Sequence, residues 1–233
     1  IALKLIHEIA ATGRFPAKWI GADAAFGSDI DFLNALPKEF YYFAAIKSDT
    51  QAFTKKPKLG LAPYKGRGRR PSKVGILSGQ PNPRSVSEIA KSGRLSFKPV
   101  VVAEGAKGPI IAKVARIRVY LSRDGLPAGD QQWAFFRQNT DGEIKYAISN
   151  APKEISLSEM VKASTMRWPI EQCFQEGKGQ VGMDCYEHRS WPAWHRHMTY
   201  VFLALHFMLR MRLHFKKNSI VDGSLGSQAT INS

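Results

Sequence analysis

Within its first fifty residues the chain alternates helix, strand, helix and strand signals, an order that few folds accommodate. Residues 1–12 space their apolar side chains at helical period and stop at Gly13. Trp19-Ile-Gly-Ala22 is short, apolar and strand-like, and it runs into Asp23-Ala-Ala-Phe-Gly27. A second helix is predicted over 28–36, closed ahead of Pro37. A second buried strand follows at Phe40-Tyr-Tyr-Phe-Ala-Ala-Ile46. Strands interleaved with helices require a sheet covered by helices, which is the α/β class. Asp23 falls just past the C-terminal end of a strand, where such sheets gather functional groups.

From residue 48 the texture changes. Glycine, proline and basic residues dominate to about residue 109, with a helix expected over 85–92. Strand-like runs follow over 97–103, 110–122, 132–137 and 145–149, with Asp141-Gly142 as a hairpin signal before the last. We read 48–152 as a basic, mostly β insertion. Helices return at Ser156-Leu-Ser-Glu159, a capping box. Pro169 lacks a backbone donor, so a helix either starts near Trp168 or kinks there. Residues 191–215 are expected to form one further helix packed on the sheet. The resulting division is 1–47 for the first part of a core, 48–152 for the insertion, 153–218 for C-terminal helices and 219–233 for a polar, loose tail. The chain opens at Ile1 inside a helix, so we expect an N-terminal part outside it.

Charge narrows the partner. Lys plus Arg number 34 against 19 Asp plus Glu, a net +15. Residues 51–123 hold 17 basic residues and two acidic ones, Glu88 and Glu104, and so carry the whole excess. Its densest part is Lys65-Gly-Arg-Gly-Arg-Arg70, which makes Lys65, Arg67, Arg69 and Arg70 candidate DNA contacts. The run lacks the apolar spacing of a membrane-surface helix, and no apolar stretch is long enough to span a bilayer. Two cysteines, Cys173 and Cys185, point to a reducing cytoplasm rather than a disulfide framework. With His188 and His195 they could be written as a zinc set, but the spacing fits no standard pattern.

The sharpest chemical signal is Arg167-x3-Glu171-x6-Lys178. Offsets of four and seven residues share a helix face, which would set a carboxylate between two cations. The carboxylate could ligate a hard divalent cation while Arg167 and Lys178 contact phosphate oxygens. A salt-bridged, solvent-facing helix is the plainer alternative. Glu176 is a rival acid, about 140° round the helix from Glu171. Trp133, Trp168, Trp191 and Trp194 are candidates to stack on an unpaired base, against ordinary core roles.

Taken together, Asp23 and Glu171, separated by a basic β insertion, resemble an insertion-sequence transposase of the DDE superfamily, in the branch with a Tyr-x2-Arg-x3-Glu-x6-Lys signature. The likeness rests on residues 21–27, Arg116-Ile-Arg-Val119, residues 145–150 and, above all, residues 167–207. It implies a partial RNase H-like core with the insertion ahead of the catalytic-glutamate helix. Asp23 would be the second Asp of a carboxylate triad and Glu171 its Glu, both of them metal ligands. Arg167 and Lys178 would be the signature's Arg and Lys. Two Mg²⁺ ions, with Mn²⁺ as a substitute, would support phosphodiester hydrolysis and strand transfer at transposon ends. Double-stranded DNA and, at full length, a second copy in a homodimer would be the partners, in a prokaryotic cytoplasm at the nucleoid. The signature's Tyr falls on Ser164, and residues 1–22 hold no aspartate. The chain alone is therefore expected to be inactive, and a catalytically dead DNA-binding remnant is the alternative.

Overall fold

A computed structural model describes residues 1–64, 66, 71–105, 108–187 and 189–226. The chain divides into two compact units, Ile1–Met166 and Arg167–Ser233.

The first unit begins with α1 (Ala2–Ala11), β1 (Trp19–Ala22), α2 (Ala24–Gly27), α3 (Ile30–Asn34) and β2 (Tyr41–Ile46). Short strands β3 (Gln51–Phe53), β4 (Leu59–Leu61), β5 (Val74–Ile76) and β6 (Arg84–Ser85) lead to α4 (Val86–Lys91). Long strands β7 (Lys98–Gly105), β8 (Gly108–Arg123) and β9 (Leu126–Gln138) precede β10 (Ile144–Ser149) and α5 (Leu157–Thr165). Among the described residues the main sheet runs β1-β2-β10-β9-β8-β3-β6, with β7 also on β8, while β4 and β5 form a separate hairpin. β1 and β2 are parallel. The other pairings are antiparallel. The unit is thus mixed α/β on a mostly antiparallel sheet.

The segment read as an insertion shares that sheet. β10 pairs directly with β2, Ala147 opposite Ala45 and Ile148 opposite Ala44. The reason is period-two alternation with apolar residues on both faces, which lets each strand bury one set of side chains above and one below. Phe43, Phe135 and Ala147 face a cluster closed by Met160, Val161 and Ala163 of α5. Their chain neighbours Ala44, Ala134, Phe136 and Ile148 face the opposite cluster, closed by Phe32 and Leu33 of α3 and Val86 and Ile89 of α4. Phe136 is fully buried; truncating such a side chain to alanine costs about 3–5 kcal/mol. Ser85 and Ser156 open α4 and α5 with reciprocal capping boxes.

In the second unit α6 (Trp168–Val181) carries Pro169 in its first turn, where a missing N–H costs nothing, so a new helix starts there rather than a long one kinking. α6 closes at Gly182, whose φ of 67° is left-handed. α7 follows (Trp191–Gly226). His197 Nε2 lies 2.9 Å from the Gly182 carbonyl, and Tyr186 donates to the Ser190 carbonyl at 2.7 Å, together folding the connection. One expectation changes here. The helix continues through 219–226, which composition alone marks as loose, because extending an existing helix fixes only one residue per hydrogen bond. Large apolar residues of α7 are exposed, among them Tyr200 (70%), Phe207 (63%) and Leu203 (59%). Apolar side chains surround α7, so one packing face cannot cover them all. Among the described residues no helix is long and apolar enough to cross a membrane.

Candidate functional site

Asp23 follows directly on β1 and caps α2. Its Oδ1 accepts the backbone N–H groups of Ala25 at 3.0 Å and Phe26 at 3.2 Å. Such a cap satisfies two orphan donors of a helix start and holds the carboxylate in one orientation. The other oxygen makes no hydrogen bond among the described residues, and the side chain is exposed. The turn is fixed from behind by Gly27. A Cβ there would run into the carbonyl oxygen of Ala45 in β2, so only glycine lets α2 lie this close to the strand.

Glu171 stands in the first turn of α6, where the helix dipole favours an acid. Arg167, at the N-cap position, donates to its Oε1 at 2.7 Å in an exposed i,i+4 pair. Lys178 is exposed in the last turn of the same helix. The plainer expectation of a salt-bridged, solvent-facing helix therefore describes the Arg167–Glu171 half of the motif. Glu176, the rival acid, pairs with Arg212 of α7 through both carboxylate oxygens at 2.9 Å. That hydrogen-bonded cation holds the Glu176 carboxyl below the usual carboxylate range. Ser164, at the signature's tyrosine position, donates to the Val161 carbonyl within its own helix at 2.7 Å. Asp23 belongs to the first unit and Glu171 to the second. Lys65, Arg67, Arg69 and Arg70, like His188, lie outside the described residues, as does the side chain of Trp168.

Two sequence blocks that carried the resemblance turn out to do structural work. Arg116 and Arg118 both lie over the Trp133 ring, at 4.3 Å and 5.2 Å from its centre. Arg116 donates to the Ile155 carbonyl at 2.8 Å, and Arg118 donates to the carbonyls of Ala151 and Gln131. Burial pulls both guanidinium pKa values down, yet an arginine at this position stays charged. Trp133 is 9% exposed and donates to the Pro152 carbonyl at 3.0 Å, so it is a core residue rather than a base-stacking platform. Asn150 joins the end of β10 to the start of β2 by accepting from the Tyr42 N–H at 2.7 Å and donating to the Phe40 carbonyl at 3.3 Å. At the start of α7, Trp191 and Trp194 stack with rings 5.0 Å apart and 4° from parallel, and His195 stands edge-on to both.

The resemblance implies Mg²⁺, and hard carboxylate oxygens suit that ion in kind. They do not suit it in number. Among the described residues no three His, Cys, Asp or Glu side chains converge on a common point. One oxygen of Asp23 is committed to a helix cap, and one oxygen of Glu171 to Arg167. Cys173 and Cys185 are free thiols, and His188 of the zinc set lies outside the described residues. No model of a known protein family matches the chain, and no curated protein matches it.

Proposed function

We propose that this chain is part of a DNA transposase of the DDE type, with an RNase H-like core, to which it contributes Asp23 and Glu171 as two of three carboxylates. The observation that carries the proposal is Asp23 itself. It is an exposed acid at the C-terminal end of a strand in a parallel pair, oriented by two backbone donors through one oxygen and open at the other. Glu171 with Arg167 and Lys178 on one helix supplies the second carboxylate and its phosphate-facing cations. The whole enzyme would hydrolyse and rejoin phosphodiesters at transposon ends, as a homodimer, using Mg²⁺ or Mn²⁺. No step is assigned to this chain alone: among the described residues no three donors converge, so Asp23 and Glu171 would offer a two-carboxylate Mn²⁺ site, weaker than a full triad. Double-stranded DNA is the macromolecular partner in this proposal, supported by the basic excess of residues 51–123.

The committed carboxylate oxygens favour a second reading, a DNA-binding protein without catalysis. Titrating the chain with Mn²⁺ beside a duplex-binding assay separates the two. A saturable Mn²⁺ site lost in both Asp23→Asn and Glu171→Gln supports the transposase. Duplex binding with no saturable Mn²⁺ site supports the inactive binder, and absence of duplex binding overturns both.

A further inference from the structure

Strand register places three cations in one row across the first unit. Lys98 of β7 is opposite Val114 of β8, Val114 is opposite Arg137 of β9, and Arg137 is opposite Lys145 of β10. Residues directly opposite one another in a sheet share a face. Lys98, Arg137 and Lys145 therefore project from the same side of four neighbouring strands, the side that also carries Trp133 and Phe135. At about 4.8 Å per strand the row is about 15 Å long.

Its members differ from the other arginines of that face. Arg116 and Arg118 are tied inward to backbone carbonyls and the Trp133 ring. Lys98 and Lys145 are exposed. Arg137 is half-buried, and its Nε, like that of Arg118, is buried without a hydrogen-bond partner among the described residues. The acid found against the row is Glu143, 3.8 Å from Lys145 in an exposed pair that contributes little and is screened by salt. Like charges on adjacent strands repel, and Arg137 opposite Lys145 is such a cost. Val114, between Lys98 and Arg137, is fully buried under the cluster that α5 closes, so an anion with repeated charges would meet the row at the exposed Lys98 and Lys145 and at the half-buried Arg137.

We propose that Lys98, Arg137 and Lys145 form a binding row for the phosphate backbone of duplex DNA. This rests on the DNA partnership put forward above, and it locates a binding surface on the sheet itself. The length suits the ligand: a duplex strand advances 3.4 Å per phosphate along its axis, so about 15 Å covers about four steps. The row reads charge and spacing and carries no base-specific group, so binding along it is independent of sequence.

The test is the salt dependence of duplex affinity, followed by fluorescence anisotropy on a mixed-sequence duplex. Removing one phosphate-binding cation flattens the slope of log affinity against log salt by about 0.9. Lys98→Gln with Lys145→Gln, both exposed positions, is expected to reduce the slope by about 2, and adding Arg137→Gln by about 3. Lys113 lies next to Val114 in β8, opposite Pro99 and Gln138, and so projects from the other face. Lys113→Gln is the control and should leave the slope near that of the parent chain. Equal slopes for the parent and the Lys98/Lys145 double variant, with binding intact, would overturn the row and leave the DNA partnership standing. A parent chain with no salt-dependent duplex binding would remove that partnership as well. Because the double variant touches no buried group, a change in its circular dichroism is not expected, and an unaltered spectrum ties the slope to phosphate binding rather than folding.

Discussion

Arg212 donates through one Nη1 to both carboxylate oxygens of Glu176 at 2.9 Å, so this acid of α6 is engaged in holding α7. Among the described residues Glu171, five residues earlier, pairs within its own helix, with Arg167. The two glutamates should therefore part company in stability measurements. The Glu176 carboxyl is held below its ordinary pKa by the Arg212 hydrogen bond, so its contribution is present above the unfolded value and lost as pH falls through the folded one. Glu176→Gln is expected to lower the thermal midpoint at neutral pH and to remove part of the loss of stability below about pH 4.3. Glu171→Gln should leave the midpoint within error. Thermal unfolding followed by circular dichroism across that range checks both.

Gly27 and Gly177 make a matched pair of opposite outcome. At Gly27 an added methyl meets the backbone oxygen of Ala45, which cannot swing aside without moving β2. At Gly177 it meets the thioether end of Met183, a flexible group, inside a helix where alanine is preferred to glycine. Gly27→Ala should cost at least the roughly 1–3 kcal/mol typical of overpacking. Gly177→Ala should stay within about 1 kcal/mol of the parent, helix preference offsetting the displaced methionine. Denaturant unfolding midpoints with unchanged slopes would give both values.

How far these relationships were legible beforehand follows from their range along the chain. Local signals match the structure: Gly13 after α1, the helix opening at Ser85, the box at Ser156, Pro169 opening α6 and Gly142 in the β9–β10 turn all depend on a few neighbouring residues. What escaped depends on register. Nothing in residues 48–152 says that β10 lies beside β2, because both strands are apolar on two faces and that pattern fits many partners. The same gap hid the structural use of Arg116 and Arg118, whose partners Trp133, Ala151 and Ile155 lie up to 39 residues away. Period two alone would have placed Arg116 and Arg118 on one face of β8, and Arg137 with Trp133 on one face of β9; only pairing joins the two sets. Of the candidate site, Asp23 at a strand end and the Arg167–Glu171 pair could be read directly. The choice of Glu171 over Glu176 rested on angle, and the partner that distinguishes them, Arg212, is 36 residues further on.

Tyr42 should set the alkaline limit of the first unit. It is 3% exposed, and burial pushes its phenol well above the ordinary value near 10. Below about pH 10 the group is neutral whether the chain is folded or not, and its contribution is fully present. Above that point the unfolded chain can ionise while the folded one resists, so stability falls as pH rises toward the folded value. Tyr42→Phe should reduce the alkaline slope by up to about 1.4 kcal/mol per pH unit, one proton's worth. Tyr146, shifted in the same direction by burial, would contribute to the slope that remains. Urea unfolding at a series of alkaline pH values measures it, and an unchanged slope in the variant would mean that Tyr42 ionises freely in the folded chain.

Asp23 is asked to do two things, and two substitutions separate them. As a cap it needs an acceptor oxygen for the N–H groups of Ala25 and Phe26; as a metal ligand it needs negative charge. Asparagine keeps the acceptor and ranks with aspartate at N-caps, whereas alanine removes both properties. Asp23→Asn should therefore retain stability within a few tenths of a kcal/mol while weakening Mn²⁺ binding, and Asp23→Ala should lose about 1 kcal/mol in addition. If the asparagine chain is as stable as the parent and binds Mn²⁺ equally well, Asp23 is a cap alone. The plainer role of a turn residue would then account for its place at the end of β1. Paired denaturant unfolding and Mn²⁺ titration on the same three proteins decide it, because the cap is read in the first measurement and the charge only in the second.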